Sequence, residues 1–193
     1  MKKLIIIISF VCVSVFTNAQ ILKPQSVSIA YIGEAITHPG MKIGLNYSFF
    51  KWDRQKNNKG AEKIIDYSID FKPCIGFYYH KSYQTGIFAL PELSFTWKKQ
   101  GGSFTAIGVG VGYMRTIIPA VYELDNDTNI RKIKAGNNYL VSNYYIAWGK
   151  DLSKKHKIPL EIFIKPHLMV AKMKEQKGIG YFILELGLNY KLR

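Results

Sequence analysis

Cysteine is nearly absent from this chain, with two in 193 residues. One of them, Cys12, falls in a segment expected to be removed, so Cys74 stays single and no intramolecular disulfide can form. Histidine is scarce too, four in all, and no Cys or His spacing suits a zinc site. After the first residues, no apolar run approaches the roughly 20 residues that a spanning helix needs. Membrane residence would therefore require a closed β-barrel. No Pro- or Ser-rich linker interrupts residues 20–193, which read as a single domain.

Acidic residues are also few, 13 against 27 Lys and Arg, for a formal charge of +14. Such an excess suits phosphate-rich partners. Nucleic acid is excluded by the expected compartment and by the lack of any recognition motif. Two readings of the charge stay open: contact with outer-membrane lipid, including lipopolysaccharide phosphates, and a solvated basic periphery.

The compartment follows from residues 1–19. Met1-Lys2-Lys3 is a short basic stretch, Leu4 to Phe16 is apolar, and Thr17-Asn18-Ala19 supplies small residues at the −3 and −1 positions of a cleavage site. This is the pattern of a secretory signal peptide. Cys12 is not a lipoprotein cysteine, because Val11 precedes it where a small residue is required.

Beyond the signal there is strict alternation in segments of about ten residues, separated by polar turns. In the last segment Phe182, Leu184, Leu186, Leu188, Tyr190 and Leu192 share one face, and Tyr181, Ile183, Glu185, Gly187, Asn189 and Lys191 the other. The same test finds strands at Val27–Glu34, Met41–Phe50, Ile64–His80, Thr85–Trp97, Phe104–Val121, Leu140–Asp151 and Leu160–Ala171. The expectation is an all-β, eight-stranded antiparallel transmembrane β-barrel with both termini at one end. Asp53 to Lys63 and Leu124 to Asn137 read as its longest connections. With the termini in the periplasm, the first would be periplasmic and the second external.

A soluble lipid-binding barrel of the periplasm would show the same alternation turned inside out. Size argues for the apolar face outward. That face carries many Leu, Ile, Phe, Tyr and Trp, whereas the other is rich in glycine: Gly44, Gly76, Gly86, Gly108, Gly110, Gly112, Gly149 and Gly187. Small residues suit a narrow interior, and a substitution such as Gly187→Ser would be expected to cost little there. Trp97, Trp148 and Tyr190 fall on the outward face near one rim, as membrane-interface aromatics do. The interior would then hold Glu34, Lys42, Asp66, Asp70, Lys72, Glu92, Glu161, Lys165, Glu185 and Lys191. Charges of both signs in so narrow a space must pair or meet water, so a salt-bridged plug and not a wide pore is expected.

Few residues suggest chemistry. His80 and Ser82, with Glu92 on the following strand, could supply base, nucleophile and orienting carboxylate at a rim, an arrangement similar to that of outer-membrane lipid A deacylases. His167 faces the interior and reads as a member of a polar network. Asp125, Asp127 and Asn129 begin like a calcium loop, but Ile130 stands where glycine is needed. Gly108, Gly110 and Gly112 lie within a strand and precede no helix, which excludes a nucleotide-binding turn. No cofactor is implied.

The chain resembles the small outer-membrane β-barrel proteins of Bacteroidota. The likeness lies in Asn18-Ala19-Gln20, in Thr37-His38-Pro39-Gly40-Met41-Lys42-Ile43-Gly44, in Phe77-Tyr78-Tyr79-His80 and in Leu186-Gly187-Leu188-Asn189-Tyr190-Lys191-Leu192. The resemblance implies a membrane barrel and assigns no activity. Three functional readings follow: a barrel with a structural or interaction role at the envelope, a lipid A-modifying enzyme, and a soluble lipid-binding barrel.

Overall fold

The computed structural model describes residues 23–34, 38–58, 61–80, 84–125, 129–173 and 178–192. Residues 1–19, expected from the sequence to be a signal peptide, lie outside them.

Nine strands occur among the described residues: β1 (Ser26–Glu34), β2 (His38–Asn58), β3 (Ala61–Tyr79), β4 (Thr85–Lys99), β5 (Ser103–Asp125), β6 (Asn129–Ala135), β7 (Asn138–Asp151), β8 (Leu160–Lys172) and β9 (Ile179–Lys191). Eight of them close a ring, each antiparallel to its neighbours, in the order β1-β2-β3-β4-β5-β7-β8-β9. The closing seam joins β1 to β9, with Ser26 opposite Lys191 and Glu34 opposite Ile183. Both termini leave at one end of the barrel, called here the terminal end; the other is the distal end.

Two expected loops are strand instead. β2 and β3 continue to Asn58 and from Ala61, so most of Asp53 to Lys63 is a paired ribbon at the terminal end. At the distal end β5 continues to Asp125 and folds back as β6, with Asp125 opposite Asn129. Neither ribbon shows regular alternation in its sequence: Lys56-Asn57-Asn58 is wholly polar, and in the distal ribbon Val121 opposite Ile133 and Leu124 opposite Ile130 put apolar residues on both faces. The connection from β7 to β8 carries one short helix, α1 (Ser153–His156), which ends at Lys157 in the left-handed region. The β4–β5 turn closes through Gly102, whose φ of 85° favours glycine.

β2 contains a bulge. Ser48 pairs with Asp70 and Phe50 with Ile69, which leaves Phe49 as the extra residue. Phe49 and Phe50 both face outward, and the alternation resumes with Lys51 opposite Ser68 and Trp52 opposite Tyr67. The extra residue thus reverses the phase, so that Trp52 stays on the outer face.

The outer surface is apolar around the whole ring. Ile29, Ile43, Ile75, Leu93, Val109, Tyr144, Leu168 and Leu186 are all exposed on it. Charged side chains reach this face only near its edges, at Arg115 and Lys172 distally and at Lys99 and Lys150 toward the terminal end. From Arg115 to Ser103 along β5, about 3.4 Å per residue and a tilt of about 45° give an axial span of roughly 29 Å. The soluble alternative required the opposite arrangement, and the exposures exclude it: Phe182 is 61% exposed and Glu185 1%.

Interior glycine does more than save space. Five glycines lie under the ring of an aromatic residue directly across the ladder: Gly76 under Phe88, Gly86 under Tyr78, Gly108 under Tyr145, Gly149 under Phe104 and Gly187 under Phe163. In each pair a ring atom lies 2.2–2.5 Å from where a Cβ would stand. The ring therefore lies flat over its glycine, and the space saved by one strand is filled by the next. The expectation that Gly187→Ser is cheap is corrected by this packing.

Candidate functional site: the barrel interior

The inward positions form three layers. The distal layer is apolar and includes Ile32, Tyr78, Phe88, Leu90, Met114, Tyr139, Val141, Met169, Tyr181 and Ile183, all buried in one cluster with Cys74. The Cys74 thiol donates to the Leu90 carbonyl at 2.8 Å. This layer makes the distal half of the interior an ordinary hydrophobic core, larger than the glycine-rich pattern suggested.

The middle layer is a closed ionic cluster. Lys42 on β2 lies 2.6 Å from Glu185 Oε2 on β9 and 3.3 Å from Glu92 Oε1 on β4. Lys165 on β8 lies 2.7 Å from Glu185 Oε2 and 3.1 Å from Glu92 Oε2. Each lysine thus touches both carboxylates. Asn143 donates from Nδ2 to Glu92 at 3.0 Å, and its Oδ1 lies 2.8 Å from His167 Nδ1. Lys165 also stands 4.4 Å from the centre of the Tyr145 ring. With two ammoniums balancing two carboxylates, the cluster meets the condition for keeping charge in a low-dielectric interior.

The third layer lines a vestibule of about 780 Å³ at the terminal end. Lys98 on β4 and Lys191 on β9 each bridge Asp151 and Glu161. Asp151 also accepts the Ser153 amide at 3.0 Å and the Ser153 hydroxyl at 2.6 Å, which ties α1 to the rim. Asp70 accepts from three hydroxyls, those of Ser48, Ser68 and Thr96, on three adjacent strands. Asp66 stands at the mouth, 3.7 Å from Lys154.

Of the residues expected in an interior network, Lys42, Glu92, Lys165 and Glu185 fall in the middle cluster, and Glu161 and Lys191 in the vestibule pairs. Asp66, Asp70 and Lys72 line the vestibule as well. The side chain of Glu34 lies outside the described residues. Lys98 and Asp151 belong to the same network and were missed as members. Lys98 lies one residue past the expected end of its strand at Trp97, yet it pairs with Phe104 across β4 and β5.

Glu92 does not take the place expected of it beside His80 and Ser82. His80 lies where β3 ends, its amide donating to the Gln84 carbonyl, and Ser82 lies outside the described residues. Glu92 sits far along β4 opposite Lys72, with 2% exposure and both carboxylate oxygens held by lysine. A carboxylate so committed cannot orient a histidine at the rim.

The three aromatics expected at an interface do share the terminal end. Trp97 and Trp148 both pair with Thr105, and Tyr190 pairs with Val27. The belt is denser than expected on the β2–β4 side. There Trp52 stacks on Tyr67 at 5.7 Å, Tyr67 on Phe95 at 5.9 Å, and Phe95 meets Trp97 at 5.9 Å.

No family model and no curated protein matches the chain. Among solved structures it is similar to the β-domain of the Bordetella autotransporter BrkA, with 10% identity over 86% of this chain and 69% of that one and a TM-score of 0.43. The outer membrane enzyme PagL gives 12% identity over 84% and 97%, with a TM-score of 0.40. The N-terminal β-barrel domain of Pseudomonas aeruginosa OprF gives 14% identity over 88% and 100%, with a TM-score of 0.37.

Proposed function

We propose that the chain is an integral outer-membrane β-barrel with a structural or interaction role at the cell envelope, closed to diffusion through its interior. The observation that carries this reading is the outer belt: an apolar surface around all eight strands, about as tall as a membrane's hydrocarbon layer and bounded by basic residues and aromatics. In water such a surface would drive association. In lipid it is the surface required.

The interior supports the second half of the reading. The apolar distal layer and the balanced ionic cluster stand in series, so water entering the vestibule meets a charge-paired plug and then hydrocarbon. Membrane fractionation tests the first half, with the protein expected in the detergent-extracted membrane fraction and showing heat-modifiable migration on gels. Recovery in the soluble fraction would overturn it. Planar-bilayer recording tests the second, with no steady conductance expected.

A further inference from the structure

Four interior lysines are each held by two carboxylates: Lys42 and Lys165 by Glu92 and Glu185, Lys98 and Lys191 by Asp151 and Glu161. Lys72 is the exception. It points into the barrel between the middle cluster and the vestibule and lines both the vestibule and the small void beneath the cluster. Glu92 stands directly opposite it in the β3–β4 ladder, yet turns its carboxylate to Lys42 and Lys165. Among the described residues no carboxylate comes within 4 Å of the Lys72 ammonium.

Asp151 and Glu161 serve Lys98 and Lys191, Asp66 stands near Lys154 at the mouth, and Asp70 turns its oxygens to three hydroxyls and not to Lys72. The vestibule is lined by Lys23, Lys51, Lys72, Lys98, Lys154 and Lys191 against Asp53, Asp66, Asp70, Asp151 and Glu161, an excess of one positive charge. Of Lys51, Lys72, Lys98, Lys154 and Lys191, those with no carboxylate within 4 Å among the described residues are Lys72 and, at the mouth, Lys51, which donates to the Gln25 side-chain oxygen. An uncompensated charge inside a barrel is costly unless a counter-charge or water reaches it. The vestibule gives access from the terminal end alone.

We propose that the vestibule is a binding site for a small anion bearing a carboxylate or phosphate group, seated against Lys72 and entering past Lys51. The volume admits a ligand of metabolite size. The site lies wholly in the terminal half of the interior. Failure of the membrane reading would show in fractionation, and failure of this one in a binding titration.

The test is amide NMR of the folded full chain in maltoside micelles, which contain neither phosphate nor carboxylate, titrated with inorganic phosphate and separately with acetate. Saturable shifts are expected at Ser68, Lys72 and Thr96. Affinity should fall at least about tenfold in Lys72→Met, the loss of one charge-assisted contact, and stay unchanged in Arg115→Gln at the distal outer edge. Should Lys72→Met not fold, Lys51→Met should weaken binding by a smaller factor. Phosphocholine micelles separate the sources. If they shift the same amides before any phosphate is added, the anion is a lipid headgroup; if phosphate still titrates as before, it is a soluble ion. Drift without saturation, or equal affinity in wild type and both lysine variants, would overturn the proposal.

Discussion

Lys165 and Glu92 meet across the barrel, Nζ 3.1 Å from Oε2, although β5 and β7 separate their strands in the sheet. Lys42 makes a similar brace from β2 to β4 and to β9. Ladder hydrogen bonds join only neighbouring strands, so in the middle layer these ion pairs tie opposite walls together. Removing one carboxylate should therefore be expensive. Glu92→Gln leaves two buried ammoniums to share Glu185 and is expected to lower stability by about 3–5 kcal/mol. The double variant Glu92→Leu with Lys165→Met keeps one balanced pair and should recover most of that loss. Urea unfolding in micelles, followed by tryptophan fluorescence, measures both.

Adjacent residues on β9 offer a test of faces and of packing together. Leu186→Arg puts a charge on the outer belt and should cost about 2–4 kcal/mol near the membrane midplane. Gly187→Ser points inward, but its Cβ would stand 2.4 Å from the Phe163 ring. Overpacking of this kind costs about 1–3 kcal/mol, and pairing it with Phe163→Leu should restore part of the stability, because the Ala30 Cβ, 2.8 Å from the same position, stays in place. Leu186→Arg should gain nothing from that second change.

The β2 bulge predicts an asymmetry between deletions. Removing Phe49 takes out the unpaired residue, so Lys51 still faces inward and Trp52 outward. Removing Ile75 from the regular part of β3 flips every side chain beyond it to the wrong face. Heat-modifiable migration should survive the first deletion and vanish with the second.

Cys74 is 7% exposed, and its thiol is bonded to the Leu90 carbonyl. A maleimide reagent should leave it unmodified in the folded barrel and label it fully after unfolding, as read by mass spectrometry. Labelling of the folded protein would place the distal layer in contact with water.

Much of this architecture is written in period two. The eight ring strands and their faces follow from alternation, and Glu185 or Lys165 could be placed inside from parity alone. Three things could not. Ribbon pairing beyond the barrel leaves no regular alternation, so β6 and the end of β2 looked like loops. A bulge breaks the count, which separated Trp52 from the aromatic row it joins with Tyr67 and Phe95. Partner choice is not periodic at all: Glu92 and Lys72 face each other in the ladder, and only the fold reveals that Glu92 turns to lysines on other strands.

The glycines beneath aromatic rings carry information that polarity does not. Sliding one strand past its neighbour by two residues preserves every face, so hydrophobic patterning is blind to that error. A ring displaced from its glycine would instead strike a side chain. Five such fits, two between β3 and β4, two between β5 and β7 and one between β8 and β9, act as keys cut for one alignment. The seam between β1 and β9 has no key of this kind. Its alignment is the remainder left once the seven other strand pairs, three of them keyed, are in place, and the barrel closes on a stagger already chosen elsewhere in the ring.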